Sequence, residues 1–232
     1  MMVRTRRRPR PPAALVRNKM AWTKRWKRIA AAGAASDWAT QAAKRELKKT
    51  LLALTWEKCA FCEGRLGSQA YAQIEHYVSR KVDWDRAFEW KNLLPVCQVC
   101  NTSKGDADHQ GRLLKPDAED PEPFFWIGPE GDIKPHPRLN EVDAFRALET
   151  IRLCNLNRGR LISDRLAVAN FVRRWLRRTT GLVDGLDELA QEEWNELSDP
   201  RQHHKIVVRH TLTLGNSSEL AVIDRELFQR RR

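Results

Sequence analysis

A chain of 232 residues that is 41% apolar can bury a sizeable core, and none of its apolar runs is long enough to cross a bilayer. The opening MMVRTRRRPRPP carries positive charge with no apolar segment behind it, which argues against a secretory signal and for a cytoplasmic protein. The net charge of +12 is uneven: 15 of the 42 Lys and Arg residues fall within 1–50, opposed only by Asp37 and Glu46, so the excess suits either a polyanion-binding surface or a solubilising tail.

In chain order, residues 1–19 form a basic arm expected to be disordered, with Arg6, Arg7 and Arg8 as candidate phosphate contacts. Residues 20–57 are expected to be helical. One helix starts near Trp22, where Trp22 and Trp26 alternate with Lys24, Arg25, Lys27 and Arg28. A break follows around Ala30–Ala35. A second helix is predicted over 36–57, capped by Ser36 or Asp37, with Leu47, Leu51 and Leu54 on one face. Residues 58–110 hold the chemistry-bearing motifs. Residues 111–140 are a Pro-rich connector, too interrupted for a long helix, with a short strand at Phe124–Ile127 and a turn at 129–132. Helices return over 141–232. The stripe Ile162, Leu166, Ala169, Val172 and Leu176 reads most simply as intramolecular core, and a polar helix is predicted over 185–197. A strand is expected at Ile206–Val208, before a short terminal helix.

Cys59-Ala-Phe-Cys62 and Cys97-Gln-Val-Cys100 stand 34 residues apart. Each C-x-x-C can turn two thiolates toward one ion, and two such knuckles complete the tetrahedral sulfur shell of a structural Zn²⁺. A thioredoxin-like redox motif needs one pair and a βαβ setting, and an iron–sulfur cluster is the weaker use of paired knuckles. The fifth cysteine, Cys154, lies in an apolar helical stretch and reads as a small buried hydrophobe.

Between the pairs lies Ile74-Glu75-His76, then Asn92-Leu-Leu, and directly after the last cysteine come Asn101 and Lys104-Gly105-Asp106. Singly these are common: a strand histidine is usually packed or exposed, and an Asn after a Cys is usually a cap or turn residue. As an ordered set they resemble the HNH endonuclease family in its zinc-braced form. The resemblance implies an α+β fold, a ββα-metal HNH core with a Cys₄ zinc, flanked by N- and C-terminal helices. It assigns His76 as general base, Glu75 and Asn101 as ligands of a catalytic divalent metal, and Asn92 as the residue that orients the loop and the histidine. Glu75 stands where Asp is commoner in the family. The chemistry is coherent: a neutral imidazole can take a proton from water, and oxygen ligands with open positions suit Mg²⁺ or Mn²⁺. Lys104, one turn after Asn101, would hold a neighbouring phosphate or else be an exposed helix lysine.

The further strings Leu113-Leu-Lys-Pro116, Asp120-Pro-Glu-Pro123, Gly131-Asp-Ile and Thr150-Ile-Arg-Leu-Cys-Asn-Leu-Asn-Arg158 make the chain similar to the PtuB-type HNH proteins of Septu and retron-associated anti-phage systems, over roughly residues 20–180. That resemblance implies a PtuA-like ATPase partner, with the tryptophan-rich helix at Trp22 and Trp26 as a candidate anchor. The function expected is metal-dependent endonucleolysis in anti-phage defence, of DNA ahead of RNA. An RNA-directed nuclease and a non-enzymatic zinc module for nucleic acid remain the alternatives.

Overall fold

A computed structural model describes residues 9–33, 39–67, 71–109, 111–179, 186–199, 201, 204, 207–209 and 211–212. Its centre is an antiparallel hairpin of β1 (Ala72–His76) and β2 (Leu93–Cys97), in which Ala72 faces Cys97 and His76 faces Leu93. Helix α3 (Gln98–Lys104) follows β2 directly, with Cys97 as its N-cap. Because side chains alternate along a strand, Leu94 and Val96 enter the larger core while Leu93 enters a smaller one. Every residue of β2 is buried, as expected of a strand covered on both faces.

The smaller core is made by α1 (Ala13–Ala31), α2 (Gln41–Leu54) and a 3₁₀ turn at Trp84–Phe88, packed on one face of the hairpin. Helix α1 starts directly after Pro12, so residues 13–19, expected in the arm, are helical. Arg6, Arg7 and Arg8 lie outside the described residues, as do Ser36 and Asp37. The cap of α2 is Thr40, whose hydroxyl accepts from the Ala43 amide. The predicted face Leu47, Leu51 and Leu54 is buried, and it joins the two cores, with Leu54 in the larger and the other two in the smaller. Trp26 is only 2% exposed and Trp22 packs against Phe88 with ring centroids 5.4 Å apart. The two tryptophans therefore anchor α1 to its own protein and do not form an outward aromatic surface, because the hairpin's second face needs an apolar cover.

The larger core runs through the zinc-type cysteines into the rest of the chain. It includes residues of the Pro-rich stretch: Leu113 and Leu114 are fully buried, and the Leu114 amide donates to Thr150 Oγ1 at 2.9 Å. The Pro-rich stretch is thus part of the core, and it contains a second hairpin of β3 (Phe125–Ile127) and β4 (Ile133–Pro135). The intervening turn requires Gly131: its φ is +82°, and a Cβ there would stand 2.7 Å from the Ile162 carbonyl oxygen.

Helices α4 (Glu141–Leu153), α5 (Gly159–Thr179) and α6 (Glu188–Ser198) close this half. On α5, Ala169, Val172 and Leu176 are buried as predicted. Ile162 and Leu166 are half-buried, because the buried face is rotated toward Leu161, Arg165, Val168 and Trp175. Residues 207–209 are helical, so Val207 and Val208 are not strand; Ile206 and the expected terminal helix lie outside the described residues. Among the described residues no helix is long and apolar enough to cross a membrane.

Candidate metal centre and adjoining polar site

The first cysteine knuckle follows α2 through a tight turn. Glu63 takes a left-handed backbone (φ +61°), which lets the Cys59 amide donate to the Gly64 carbonyl at 2.8 Å. The Ala60 amide donates to the Pro95 carbonyl at 2.9 Å, tying this knuckle to β2. The second knuckle is the start of α3, where the Cys100 amide points at Cys97 Sγ, 3.5 Å away. Together they place the four sulfurs of Cys59, Cys62, Cys97 and Cys100 within 4.8 Å of one another, all buried. The Cys62 and Cys97 sulfurs are 3.8 Å apart, far beyond a disulfide bond. That spacing matches the edge of a tetrahedron built on Zn–S bonds of ~2.3 Å, about 3.8 Å. The four-sulfur set therefore fits Zn²⁺ and, being closed, leaves no position for substrate.

Arg158, just before α5, places its guanidinium 3.6 Å from Cys100 Sγ and 3.9 Å from Cys97 Sγ. Burial opposes its charge, and the neighbouring sulfurs of Cys100 and Cys62 more than restore it. A cation there offsets the negative charge of a four-thiolate shell and fastens the C-terminal half to it. Arg158→Ala should lose zinc to a chelating dye roughly tenfold faster, with the starting zinc content unchanged. Wild-type release would show that the contact carries no weight.

The polar residues of the ordered motif sit where the hairpin meets α3. Gln73 and Glu75 leave β1 on the face covered by α3, where Asn101 Nδ2 donates to Gln73 Oε1. Lys104 Nζ lies 2.6 Å from Glu75 Oε1 and 3.1 Å from the His76 carbonyl oxygen. Lys104 is only 2% exposed. It is neither the exposed helix lysine nor the phosphate contact that the sequence allowed, because a buried carboxylate needs a counter-charge and one helical turn brings this one over it. Burial raises the Glu75 carboxyl to about 7, against the pull of Lys104.

His76 leaves the strand on the opposite face. Its Nε2 is 3.0 Å from the Ala87 carbonyl, which only accepts, so Nε2 carries the proton; Arg80 Nη1 lies 3.5 Å from Nδ1. Burial, and then Arg80, lower the imidazole to about 3, so it is neutral at physiological pH. Although Glu75 and His76 point apart, both feel Arg80, Lys104 and Asp106, so one charged cluster encloses the end of β1. Asp106 is bound to Lys81 at 2.6 Å and to Ser79. Arg80 was not singled out from sequence, and Asp106 was named only as the end of Lys104-Gly105-Asp106, with no role assigned to it.

Asn92 is fully buried between the strands. Its Oδ1 accepts from the Val78 amide at 2.8 Å, and its Nδ2 donates to the carbonyls of Val78 (2.9 Å) and Arg86 (3.0 Å). One side chain thus closes the excursion that carries Arg80 and Ala87, the two neighbours of His76. Asn92→Ala should cost about 3 kcal/mol of stability, because it leaves buried backbone groups without partners. Urea unfolding of the zinc-loaded protein would measure this, and an unchanged midpoint would refute it.

No protein-family profile matches the sequence. Two curated proteins do. Septu protein PtuB of Bacillus thuringiensis is 32% identical over 77 residues, 32% of this chain and 30% of that protein. Septu protein PtuB of Bacillus mycoides strain KBAB4 is 26% identical over 203 residues, 75% of this chain and 68% of that protein. The first of these matches thus spans less than a third of its relative's length. With its four-cysteine cluster suited to zinc, the chain is related, at low identity, to Septu protein PtuB.

Proposed function

We propose that this chain is an HNH-type, metal-dependent endonuclease of a prokaryotic anti-phage system, hydrolysing phosphodiester bonds of DNA ahead of RNA and working with a PtuA-like ATPase. The observation that carries the reading is the set Glu75, His76, Asn92 and Asn101 around a zinc-suited hairpin and helix, in a chain related to PtuB.

In this reading Nδ1 of His76 accepts a proton from the attacking water. The Ala87 carbonyl fixes the tautomer that leaves Nδ1 without a proton, and burial keeps the ring uncharged, the form that can accept one. Arg80 covers Nδ1, and a phosphate oxygen is the better acceptor for its guanidinium, so substrate draws Arg80 off the ring and is itself held beside it. Glu75 and Asn101 offer a carboxylate and an amide oxygen on one face, the hard donors that Mg²⁺ or Mn²⁺ takes. They would hold such an ion once Glu75 exchanges Lys104 for it as counter-charge. When bound, the ion would supply charge neutralisation for the phosphate and the departing oxygen.

The test is incubation of the purified protein with DNA and with RNA, with and without Mg²⁺ or Mn²⁺, alone and co-expressed with the product of the neighbouring gene. Metal-dependent cleavage of DNA, and co-elution with an ATPase in size-exclusion chromatography, are expected. Cleavage of RNA alone would change the substrate. Binding of either without cleavage would leave a zinc module for nucleic acid.

A further inference from the structure

We propose that the groove between α1 and residues 81–85 seats a single-stranded stretch of polynucleotide next to the bond to be cut; this rests on the nuclease reading above. The groove, of about 780 Å³, is lined by Lys27, Arg28, Lys81, Asp83, Trp84 and Asp85. Its charges sort by their partners. Asp85 is held by Lys27 at 2.5 Å, Asp83 accepts the Asp85 amide as cap of the 3₁₀ turn, and Lys81 is held by Asp106. The ion pair seen for α1 among the described residues is that of Lys27, while Arg28 and, on the exposed side of the same helix, Arg17, Lys24 and Arg25 have no carboxylate partner there. Helix α1 carries six basic residues and no acidic one. Among the described residues, the groove therefore opens onto a positive face that no carboxylate pairs.

Trp84 is 38% exposed, and among the described residues it has no aromatic or cationic neighbour on its ring. A tryptophan face beside arginine is what an unpaired base stacks upon, and a base inside a duplex cannot present itself that way. The groove also abuts the candidate site. Lys81 follows Arg80, the Trp26 ring supports Arg80 at 5.5 Å, and Ala87, which anchors His76, lies in the same 3₁₀ turn as Trp84.

The experiment uses the full chain with His76→Ala, free of added divalent ions, and fluorescein-labelled oligonucleotides: single-stranded DNA, single-stranded RNA and duplex DNA. Trp84→Ala should weaken single-strand binding roughly tenfold, and Trp84→Phe should restore most of it. Arg28→Ala should lower the slope of log K against log salt by ~0.7. Arg160→Ala, an exposed arginine in the first turn of α5 that does not line the groove, serves as the control and should change nothing. The DNA and RNA arms identify which polymer the groove prefers. Wild-type affinity in both groove variants would overturn the proposal, and so would displacement of the oligonucleotide by polyglutamate as readily as by another oligonucleotide. Cleavage by the otherwise wild-type chain with unaltered binding in the variants would remove the groove and leave the nuclease. Groove-dependent binding without cleavage under any metal condition would uphold the groove and remove the nuclease.

Discussion

Replacing His76 with alanine is expected to lower phosphodiester cleavage by on the order of 10²- to 10⁴-fold, the usual loss when a general base is removed. Affinity for nucleic acid should stay near wild type, because the proton transfer assigned to Nδ1 is made only in the transition state. The ring is 3% exposed, so truncation also leaves a small void and an unpaired Ala87 carbonyl. His76→Gln, which can still donate to that carbonyl but offers no basic nitrogen, separates the two effects. Both variants should keep zinc content and circular dichroism close to wild type, and both should fail to cleave. The rate is read from single-turnover cleavage with Mn²⁺. Cleavage at the wild-type rate in either variant would refute the assignment of His76, whatever the fold.

The second large effect concerns the sulfur cluster. Cys59→Ser and Cys97→Ser are each expected to abolish folding rather than activity alone, and strong chelators should unfold the wild type. Zinc bound by such a shell contributes apparent free energies of about 10–16 kcal/mol, comparable to the whole stability of a domain. Here the four sulfurs join the knuckle after α2, the start of α3 and, through Arg158, the approach to α5. They also sit inside the larger core, so removing the ion opens that core where its segments meet. Elemental analysis should find about one zinc per chain, as one four-thiolate shell requires. A soluble, folded wild-type protein without metal would contradict the prediction.

The two knuckles were legible because tetrahedral sulfur ligation constrains local spacing, and local spacing is written in the chain: Cys59 with Cys62, and Cys97 with Cys100. The face Leu47, Leu51 and Leu54 and the short strand ending at Ile127 were legible for a similar reason, since a period of 3.6 or a β-rich run between prolines is a near-neighbour property. Asn92 could be singled out through its place in an ordered motif, but its three backbone partners at Val78 and Arg86 could not, because they depend on how a loop returns to its hairpin.

The sequence by itself determined the sulfur set, the order of helices and hairpin, and the basic face of α1. Only the tertiary structure decided which way adjacent polar residues point and what they meet. Strand alternation sends Glu75 to α3 and His76 to the 3₁₀ turn, although they are neighbours in the chain. Burial then turned Lys104 from a free surface cation into the counter-charge of Glu75, and turned Trp26 from an outward anchor into core. The physical reason is common to these cases: covalent spacing fixes what lies within a turn of helix, whereas the desolvation of a charge or a ring is set by segments far along the chain that pack against it.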